Sequence, residues 1–216
     1  MEKLFLITVG TSLITGTGLL TSDESKTVMD ESLAQTRSAE KEAILQKLTD
    51  KLRVDHEAIF RTAEFSTLRA YQRTVNPDAP TWYNPGARYV FIGTDTSINR
   101  YVLRTFRSIL SRHFATIQLE ADIIVPGLTV GVAAAYDTAQ HELYQSLKMV
   151  TLPYMNQQQP QNVIICATGG FKFVSGWMHT YATIHGFGIM YIHEASRELL
   201  LTRPRIALDF PTPLHV

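Results

Sequence analysis

The sequence predicts an α/β protein with a Rossmann-like, doubly wound and mostly parallel sheet, with helices on both faces and a C-terminal β-hairpin. Three observations support this fold class. Short apolar runs of strand length recur along the chain, segments with helical periodicity separate them, and 216 residues suffice for one such domain but not comfortably for two. Because neighbouring parallel strands need a crossover, usually a helix, we expect residues 1–216 to form a single domain.

The strands are predicted from their apolar character, since parallel strands buried on both faces are almost continuously apolar. Four runs fit this description, a fifth (117–125) is more mixed, and the segments flanking Arg203-Pro204 are expected to pair as the hairpin. The runs are residues 4–9 (LFLITV), 88–93 (RYVFIG), 117–125 (IQLEADIIV), 162–167 (NVIICA) and 189–193 (IMYIH), and the hairpin arms are residues 198–202 and 205–209.

Between the strands, apolar residues recur at intervals of three and four, which is the spacing of a helix with one buried face. Residues 15–37 and 74–87 are polar or rich in Pro and Gly and are interpreted as loops, the first long enough to act as a lid. The helical sets are Ile44, Leu45, Leu48 and Leu52; Ile98, Val102, Phe106, Ile109 and Leu110; Val132, Tyr136, Ala139, Leu143 and Leu147; and Phe173, Trp177, Tyr181 and Ile184.

The amino-acid composition limits the classes of partner that this protein is expected to bind. Lys plus Arg and Asp plus Glu both number 20, so there is no basic excess for holding long nucleic acid, whereas a small anionic ligand held by a few groups is compatible. The single cysteine, Cys166, excludes an intrachain disulfide or a cysteine-based zinc site and suits packing in a reducing cytoplasm. Apolar stretches fall far short of about 20 residues and the start lacks a signal peptide, so we expect a cytoplasmic protein without a membrane partner.

The candidate site follows from the fold, because ligands of such sheets bind beyond the carboxyl ends of the strands. Three of these ends carry glycine, hydroxyl groups and a following helix start, which together suit a phosphate or ribose. Taken singly, the segments after the first and second strands could be only turns and N-caps. Lys172 is less easily explained in this way, because a cation on the first turn of a helix opposes the helix dipole unless an anion is near. The three segments are Gly10-Thr11-Ser12, Gly93-Thr94-Asp95-Thr96-Ser97 and Thr168-Gly169-Gly170-Phe171-Lys172.

Other nucleotide-binding, metal-binding and ribonuclease motifs receive less support from the sequence. No Gly-Lys-Ser/Thr closes a phosphate loop after the first strand and no G-x-G-x-x-G follows it, which argues against a nucleoside triphosphatase or a nicotinamide cofactor, and we expect no cofactor. His179 and His185 are six residues apart, which does not suit metal ligands on one helical face. The spacing of Arg107 and His113 resembles that of a HEPN ribonuclease motif, but both residues fall within a predicted crossover helix of the Rossmann-like fold, which argues against a ribonuclease role.

The three strand ends together resemble those of a CARF domain, the CRISPR-associated Rossmann fold. The resemblance extends from residue 4 to about residue 210, and its most specific part is the Thr-Gly-Gly-Phe-Lys block with the Tyr-Ile-x-Glu strand after it. Thr62-Ala63-Glu64-Phe65 also resembles a Ser-Ala-Glu segment of a mostly stand-alone CARF subgroup. The matching stretches are LFLITVGTSLIT, FIGTDTS and IICATGGFKFVSGWMHTYATIHGFGIMYIHEASRELL.

This resemblance implies a homodimer that binds cyclic oligoadenylate, the second messenger of type III CRISPR systems, across its two-fold axis. Because the CARF-like region reaches almost to Val216, we expect no effector domain, and either a sensor or a metal-independent ring nuclease. The resemblance assigns catalysis to Ser12 and Lys172. It assigns ligand binding to these two and to Gly10, Thr11, Thr94, Asp95, Thr96, Thr168, Gly169 and Gly170.

Ring cleavage is the favoured activity, because a 3′-5′ RNA linkage carries its own nucleophile, the 2′-hydroxyl, which a protein need only align and assist. Three alternatives stay open at this stage. The chain could be a non-catalytic sensor or sink for the messenger, or the sensor part of a larger effector or regulator. It could also be a Rossmann enzyme acting on an ordinary nucleotide.

Overall fold

The computed structural model describes residues 2–30, 37–128, 133–192 and 198–203. Its centre is one sheet of seven strands, and the four apolar runs predicted as buried strands all lie in it. The strands are β1 (Leu4–Thr8), β2 (Arg88–Thr94), β3 (Gln118–Leu119), β4 (Ile123–Val125), β5 (Val163–Cys166), β6 (Gly188–Ile192) and β7 (Leu199–Thr202).

The sheet is mostly parallel, with the order β3-β2-β1-β5-β6-β7 and with β4 paired to β2 beyond β3. Strand β1 lies at the middle, in parallel register with β2 on one side and with β5 on the other. The chain therefore builds outward from β1 to β4, then returns across the sheet to continue from β5. This reversal of direction beside β1 is where doubly wound sheets bind ligands, at the carboxyl ends of the strands.

Seven α-helices and two short 3₁₀ helices lie in the described ranges, and they confirm the predicted crossovers. No helix in these ranges has both the length and the apolar content to cross a bilayer. The α-helices are α1 (Ser12–Thr15), α2 (Ser22–Met29), α3 (Ser38–Val54), α4 (Ala63–Val75), α5 (Ser97–His113), α6 (Ala133–Asn156) and α7 (Lys172–His185), and the 3₁₀ helices are His56–Arg61 and Pro160–Asn162.

Alternate residues of β1 face opposite sides of the sheet and divide the core in two. Phe5 and Ile7 pack with apolar residues of α1 to α5, whereas Leu4 and Leu6 pack with those of α6 and α7. Cys166 is fully buried in the first core, in agreement with a packing role. Helices therefore cover both faces of the sheet, and the fold class predicted from the sequence is confirmed.

Two local predictions differ from the structure. Within the predicted loop 15–37, residues Ser22–Met29 form helix α2, because Thr21 and Glu24 form a reciprocal capping box that satisfies its first N–H groups; residues 31–36 lie outside the described residues. The mixed run 117–125 forms two short strands that both pair with β2. They are separated where Glu120 binds Arg88 at 2.7 Å and Asp122 binds Arg107 at 2.7 Å.

The C-terminal hairpin is antiparallel, as predicted. Strand β7 pairs with β6, Ile192 opposite Leu199, and the sequence also predicted that residues 205–209 would pair with β7. Those residues lie outside the described part of the chain.

Candidate functional site

The turns after β1, β2 and β5 lie side by side at one edge of the sheet. The β1 turn contacts both neighbours: the Val9 N–H donates to the Ile92 carbonyl at 2.8 Å, and Gly10 lies against Gly170. A Cβ added at Gly10 would lie 2.6 Å from the Gly170 nitrogen, so only glycine allows the β1 and β5 turns to approach this closely. The structure thus brings together the three strand ends singled out in the sequence.

A pocket of about 340 Å³ opens at this edge. Met29, Asn99, Leu128 and Phe171 contribute part of its lining, and none of them was among the residues implied as ligand-binding. The residues that the resemblance implied as ligand-binding and that line this pocket are Gly10, Thr11, Thr94, Asp95, Thr96 and Gly170.

Asn99, in the first turn of α5, joins the β1 and β2 turns. Its side chain is 4% exposed; the Oδ1 accepts the Thr94 N–H at 2.9 Å, and the Nδ2 donates to the Val9 carbonyl at 2.9 Å. Gly93 leaves the room for this side chain, since a Cβ there would lie 2.0 Å from Oδ1. Asn99 therefore sets the spacing of two of the three turns, a role that sequence reasoning missed.

The β2 turn holds its polar side chains in local hydrogen bonds. Thr96 caps α5, accepting the Asn99 N–H at 3.3 Å, and its Oγ1 lies 3.2 Å from that of Thr94. Asp95 accepts the Gly127 N–H at 3.2 Å, which ties the β2 turn to the segment after β4. Since Thr96 holds the cap, the Asp95 carboxylate is left to bridge these segments at the pocket wall.

Ser12 faces the start of α4, and it is not among the residues that line the pocket. Its Oγ donates a short hydrogen bond to Glu64 Oε2 and accepts the Ala63 N–H at 3.3 Å. The other carboxylate oxygen of Glu64 accepts the Gly10 N–H at 2.8 Å. Glu64 therefore holds the first and last residues of the Gly10-Thr11-Ser12 turn with one carboxylate.

Glu64 is fully buried, which is unusual for a glutamate. Burial raises the pKa of this carboxyl above its ordinary value, and the Gly10 N–H and the Ser12 hydroxyl act in the opposite direction by stabilising the carboxylate. Glu64 belongs to the Thr62-Ala63-Glu64-Phe65 motif, but no role in the site was predicted for it. The signal in the sequence is an acidic residue in the first turn of a predicted helix.

The β5 turn is packed against the protein itself. Thr168 Oγ1 accepts from the Thr67 hydroxyl at 2.9 Å and from the Ile192 N–H at 3.3 Å, and the Gly169 carbonyl accepts from the Thr8 hydroxyl at 2.5 Å. A Cβ at Gly169 would lie 2.3 Å from Glu64 Oε1 and 2.8 Å from the Thr8 carbonyl oxygen. Thr168 and Gly169 therefore support the β5 turn from within the protein, and neither of them lines the pocket.

Lys172 is the first residue of α7 and is exposed. It follows Phe171, which lines the pocket, although Lys172 itself is not among the lining residues. Within the described ranges its ammonium group has no ion pair, and α7 begins without a side-chain cap or an acidic residue in its first turn. Among the described residues, therefore, no acidic side chain compensates the positive end of the helix dipole or the lysine charge.

A second pocket, of about 240 Å³, lies between α3 and α5, and His113 of the HEPN-like pattern is among its lining residues. His113 stacks on His56 with ring centroids 4.0 Å apart, while Arg107 donates to Asp122 at 2.7 Å and to the Glu120 carbonyl at 2.6 Å. Arg107 therefore holds the β3–β4 segment and is structural. Among the described residues, no cluster of three metal-ligating side chains forms.

The chain matches a known protein family. A protein-family model described as "CRISPR-associated protein (Cas_APE2256)" matches residues 60–205, more than half of the chain. This range includes Glu64, the β2 turn, the Thr168–Lys172 segment and the strands around them. A search of curated proteins found no match.

Proposed function

The chain belongs to the CRISPR-associated family matched over residues 60–205, and on that premise we propose that it binds cyclic oligoadenylate, with cyclic tetra-adenylate as the preferred ring. We further propose that two copies of the chain share the ring and cleave it without metal to linear di-adenylates with 2′,3′-cyclic phosphate ends. This activity would switch off type III CRISPR signalling in the cytoplasm. The observation that carries the proposal is the pocket at the ends of β1, β2 and β5, with Lys172 and the uncapped start of α7 beside it.

The start of α7 suits a phosphate. The first N–H groups of a helix have no partner within the helix, and no side chain of the described residues caps those of α7. Lys172 adds a full positive charge at the same place. An anion bound there would be stabilised by both, which offers a reason for a lysine where the helix dipole disfavours one.

The size of the pocket supports a shared ligand. About 340 Å³ is near the lower end of the range for small-molecule sites, roughly 300 to 1,000 Å³. That space is small for a whole ring of four nucleotides, whereas two such pockets related by a two-fold axis would each take part of it. The equal numbers of acidic and basic residues are compatible with this arrangement, because a dimer supplies every donor twice.

Aromatic side chains near α7 offer surfaces for adenine. Phe171 lines the pocket, and Phe173, which is 55% exposed, lies with its ring centroid 5.8 Å from that of Phe171. Bases stack on such rings with little dependence on sequence, at about 1 to 3 kcal/mol per base. A ring made only of adenylates suits this kind of contact.

Cleavage would use the ligand's own 2′-hydroxyl as the nucleophile. The protein would hold that oxygen in line with the phosphorus and stabilise the charge that develops on the phosphate. By resemblance to CARF ring nucleases, Lys172 would stabilise this charge or assist the leaving 5′-oxygen, and Ser12 would position the 2′-hydroxyl or the scissile phosphate.

A second candidate is a sensor or sink that binds the ring without cleaving it. One observation favours it: the Ser12 hydroxyl is already engaged by Glu64 and the Ala63 N–H, and neither Ser12 nor Lys172 lines the pocket. Both candidates use the same pocket, so they differ only in what happens to the bound ring.

The experiment that separates them combines binding with turnover. Cyclic tetra-adenylate and cyclic hexa-adenylate are each titrated into the protein in EDTA, and the ratio of chains to ring is read by native mass spectrometry. We expect two chains per ring, followed by loss of the ring within the incubation. Rings that bind and stay intact would establish the sensor, and the absence of binding would refute both candidates.

A further inference from the structure

The buried Glu64 has a place in the site that the roles of Ser12 and Lys172 do not use. We propose that Glu64 receives, through Ser12, the proton of the 2′-hydroxyl that attacks the scissile phosphate. This inference rests on the proposed ring cleavage and assigns the group that activates its nucleophile. Because Glu64 would act through Ser12 and not touch the ring, it is a positioning residue for that hydroxyl.

The hydrogen bonds of Ser12 fix the direction of a proton relay. The Ala63 N–H donates to Ser12 Oγ at 3.3 Å, so it occupies one lone pair of the hydroxyl, and the hydroxyl proton points to Glu64 Oε2. Since a serine oxygen has two lone pairs, one is left for a further donor. In this proposal a ribose hydroxyl of the ring donates to that lone pair, because Ser12 is partly exposed and directly follows Thr11, which lines the pocket.

The carboxylate itself is held in a fixed position. Gly10 donates its N–H to Glu64 Oε1 at 2.8 Å, which leaves Oε2 directed at Ser12. Gly169 packs so closely that an added Cβ would lie 2.3 Å from Oε1. A carboxylate with one oxygen bound to the Gly10 N–H and the other to the Ser12 hydroxyl is arranged to take a proton from that hydroxyl.

The step balances in atoms and charge. The 2′-O–H bond breaks and its proton passes to Ser12 Oγ while the Ser12 proton passes to Glu64, so serine is unchanged and the carboxylate becomes a carboxylic acid. The 2′-oxygen forms a bond to phosphorus, and the bond from phosphorus to the 5′-oxygen breaks with its electron pair. The 5′-oxygen takes a proton from Lys172 or water, and exchange with solvent then restores both side chains.

The surroundings of Glu64 make its carboxylate a stronger base than one at the surface. Burial raises its pKa, and the groups that lower it are the Gly10 N–H, the Ser12 and Thr62 hydroxyls and its own backbone, with no described lysine, arginine or histidine among them. Cys166 on β5 is a titratable residue that interacts electrostatically with Glu64. Burial raises the pKa of its thiol to about 12, so the thiol stays neutral. A base of this kind gains proton affinity without a competing counter-ion.

The test is the pH dependence of single-turnover cleavage of cyclic tetra-adenylate by Glu64→Gln. We expect wild-type cleavage to rise with pH through an inflection above pH 4.5, the ordinary value for this carboxyl. We expect Glu64→Gln to bind the ring within about 2-fold of wild type, to cleave it on the order of 10² times more slowly, and to show no such inflection. Glu120→Gln, a carboxylate change at the opposite end of β2, should match wild type in all three respects.

Ser12→Ala provides a second variant, should Glu64→Gln not fold. If the two residues form one relay, Ser12→Ala loses the same inflection, and the double variant is no slower than the slower single variant. Wild-type inflection retained in either variant would overturn the relay while the proposed function stands. Wild-type protein that leaves the ring intact would overturn both, and this outcome is distinct from the first.

Discussion

Removing the Asn99 side chain tests the account of how the site is held together. Asn99→Ala removes two hydrogen bonds of 2.9 Å, one to the Thr94 N–H and one to the Val9 carbonyl. Each bond is worth about 1 kcal/mol net, and each partner left unsatisfied in a buried place costs about 1 to 3 kcal/mol. Because Val9 is buried and Thr94 is only partly exposed, we expect a loss of about 2 to 4 kcal/mol in the free energy of unfolding.

Urea unfolding followed by circular dichroism measures this loss. With an m-value of about 2 to 3 kcal/mol per molar urea, the midpoint should fall by about 1 M. The matched control is Asn84→Ala, which removes one hydrogen bond to a loop N–H, that of Gly86 at 3.1 Å, and should lower the free energy of unfolding by less than about 1 kcal/mol. A loss for Asn99→Ala no larger than that of the control would refute the role given to Asn99.

The remaining predictions concern charge, pH and backbone packing. Lys172→Ala should slow single-turnover ring cleavage by about 10² or more, the scale of one transition-state donor, whereas Lys148→Ala, another exposed lysine, should not; equal rates would contradict the assignment. Burial raises the pKa of Glu64 in the folded protein, so the stability that its protonated form contributes is complete below about pH 4.5 and is lost as the pH rises through the raised pKa. Wild type should therefore lose stability relative to Glu64→Gln over that pH range. Parallel pH profiles of the two proteins in urea unfolding would contradict this. Gly169→Ala places a Cβ 2.8 Å from the Thr8 carbonyl oxygen and should lower the free energy of unfolding by about 1 to 3 kcal/mol; an unchanged thermal midpoint would show that the β5 turn can move aside.

The fold was predictable because its signal is local. The apolar runs of β1, β2, β5 and β6 alternate with helical periods, and both patterns depend on near neighbours in the sequence. Helix α2 was missed because its residues are mostly polar and only the Thr21 to Glu24 capping pair marks it. The pairing of β7 with β6 was not predicted, because strand pairing is a contact between segments, which composition does not specify.

The site was predictable in place but not in detail. The rule that ligands bind at the carboxyl ends of parallel strands located the turns, and the glycines and hydroxyls within them were visible in the sequence. The contacts that shape these turns join residues far apart: Glu64 reaches Ser12 across 52 positions, and Asn99 reaches Val9 across 90. No periodicity or spacing encodes such pairs, so the bond between Ser12 and Glu64 was not predictable from the sequence.

Whether the chain cleaves the ring with the ring's own 2′-hydroxyl is decided by incubating it with cyclic tetra-adenylate in EDTA and ¹⁸O-labelled water and analysing the products by mass spectrometry. We expect linear di-adenylate with a 2′,3′-cyclic phosphate and no ¹⁸O, because the 2′-hydroxyl and not water attacks the phosphorus. An intact ring, or a first product that carries ¹⁸O on its phosphate, would contradict it.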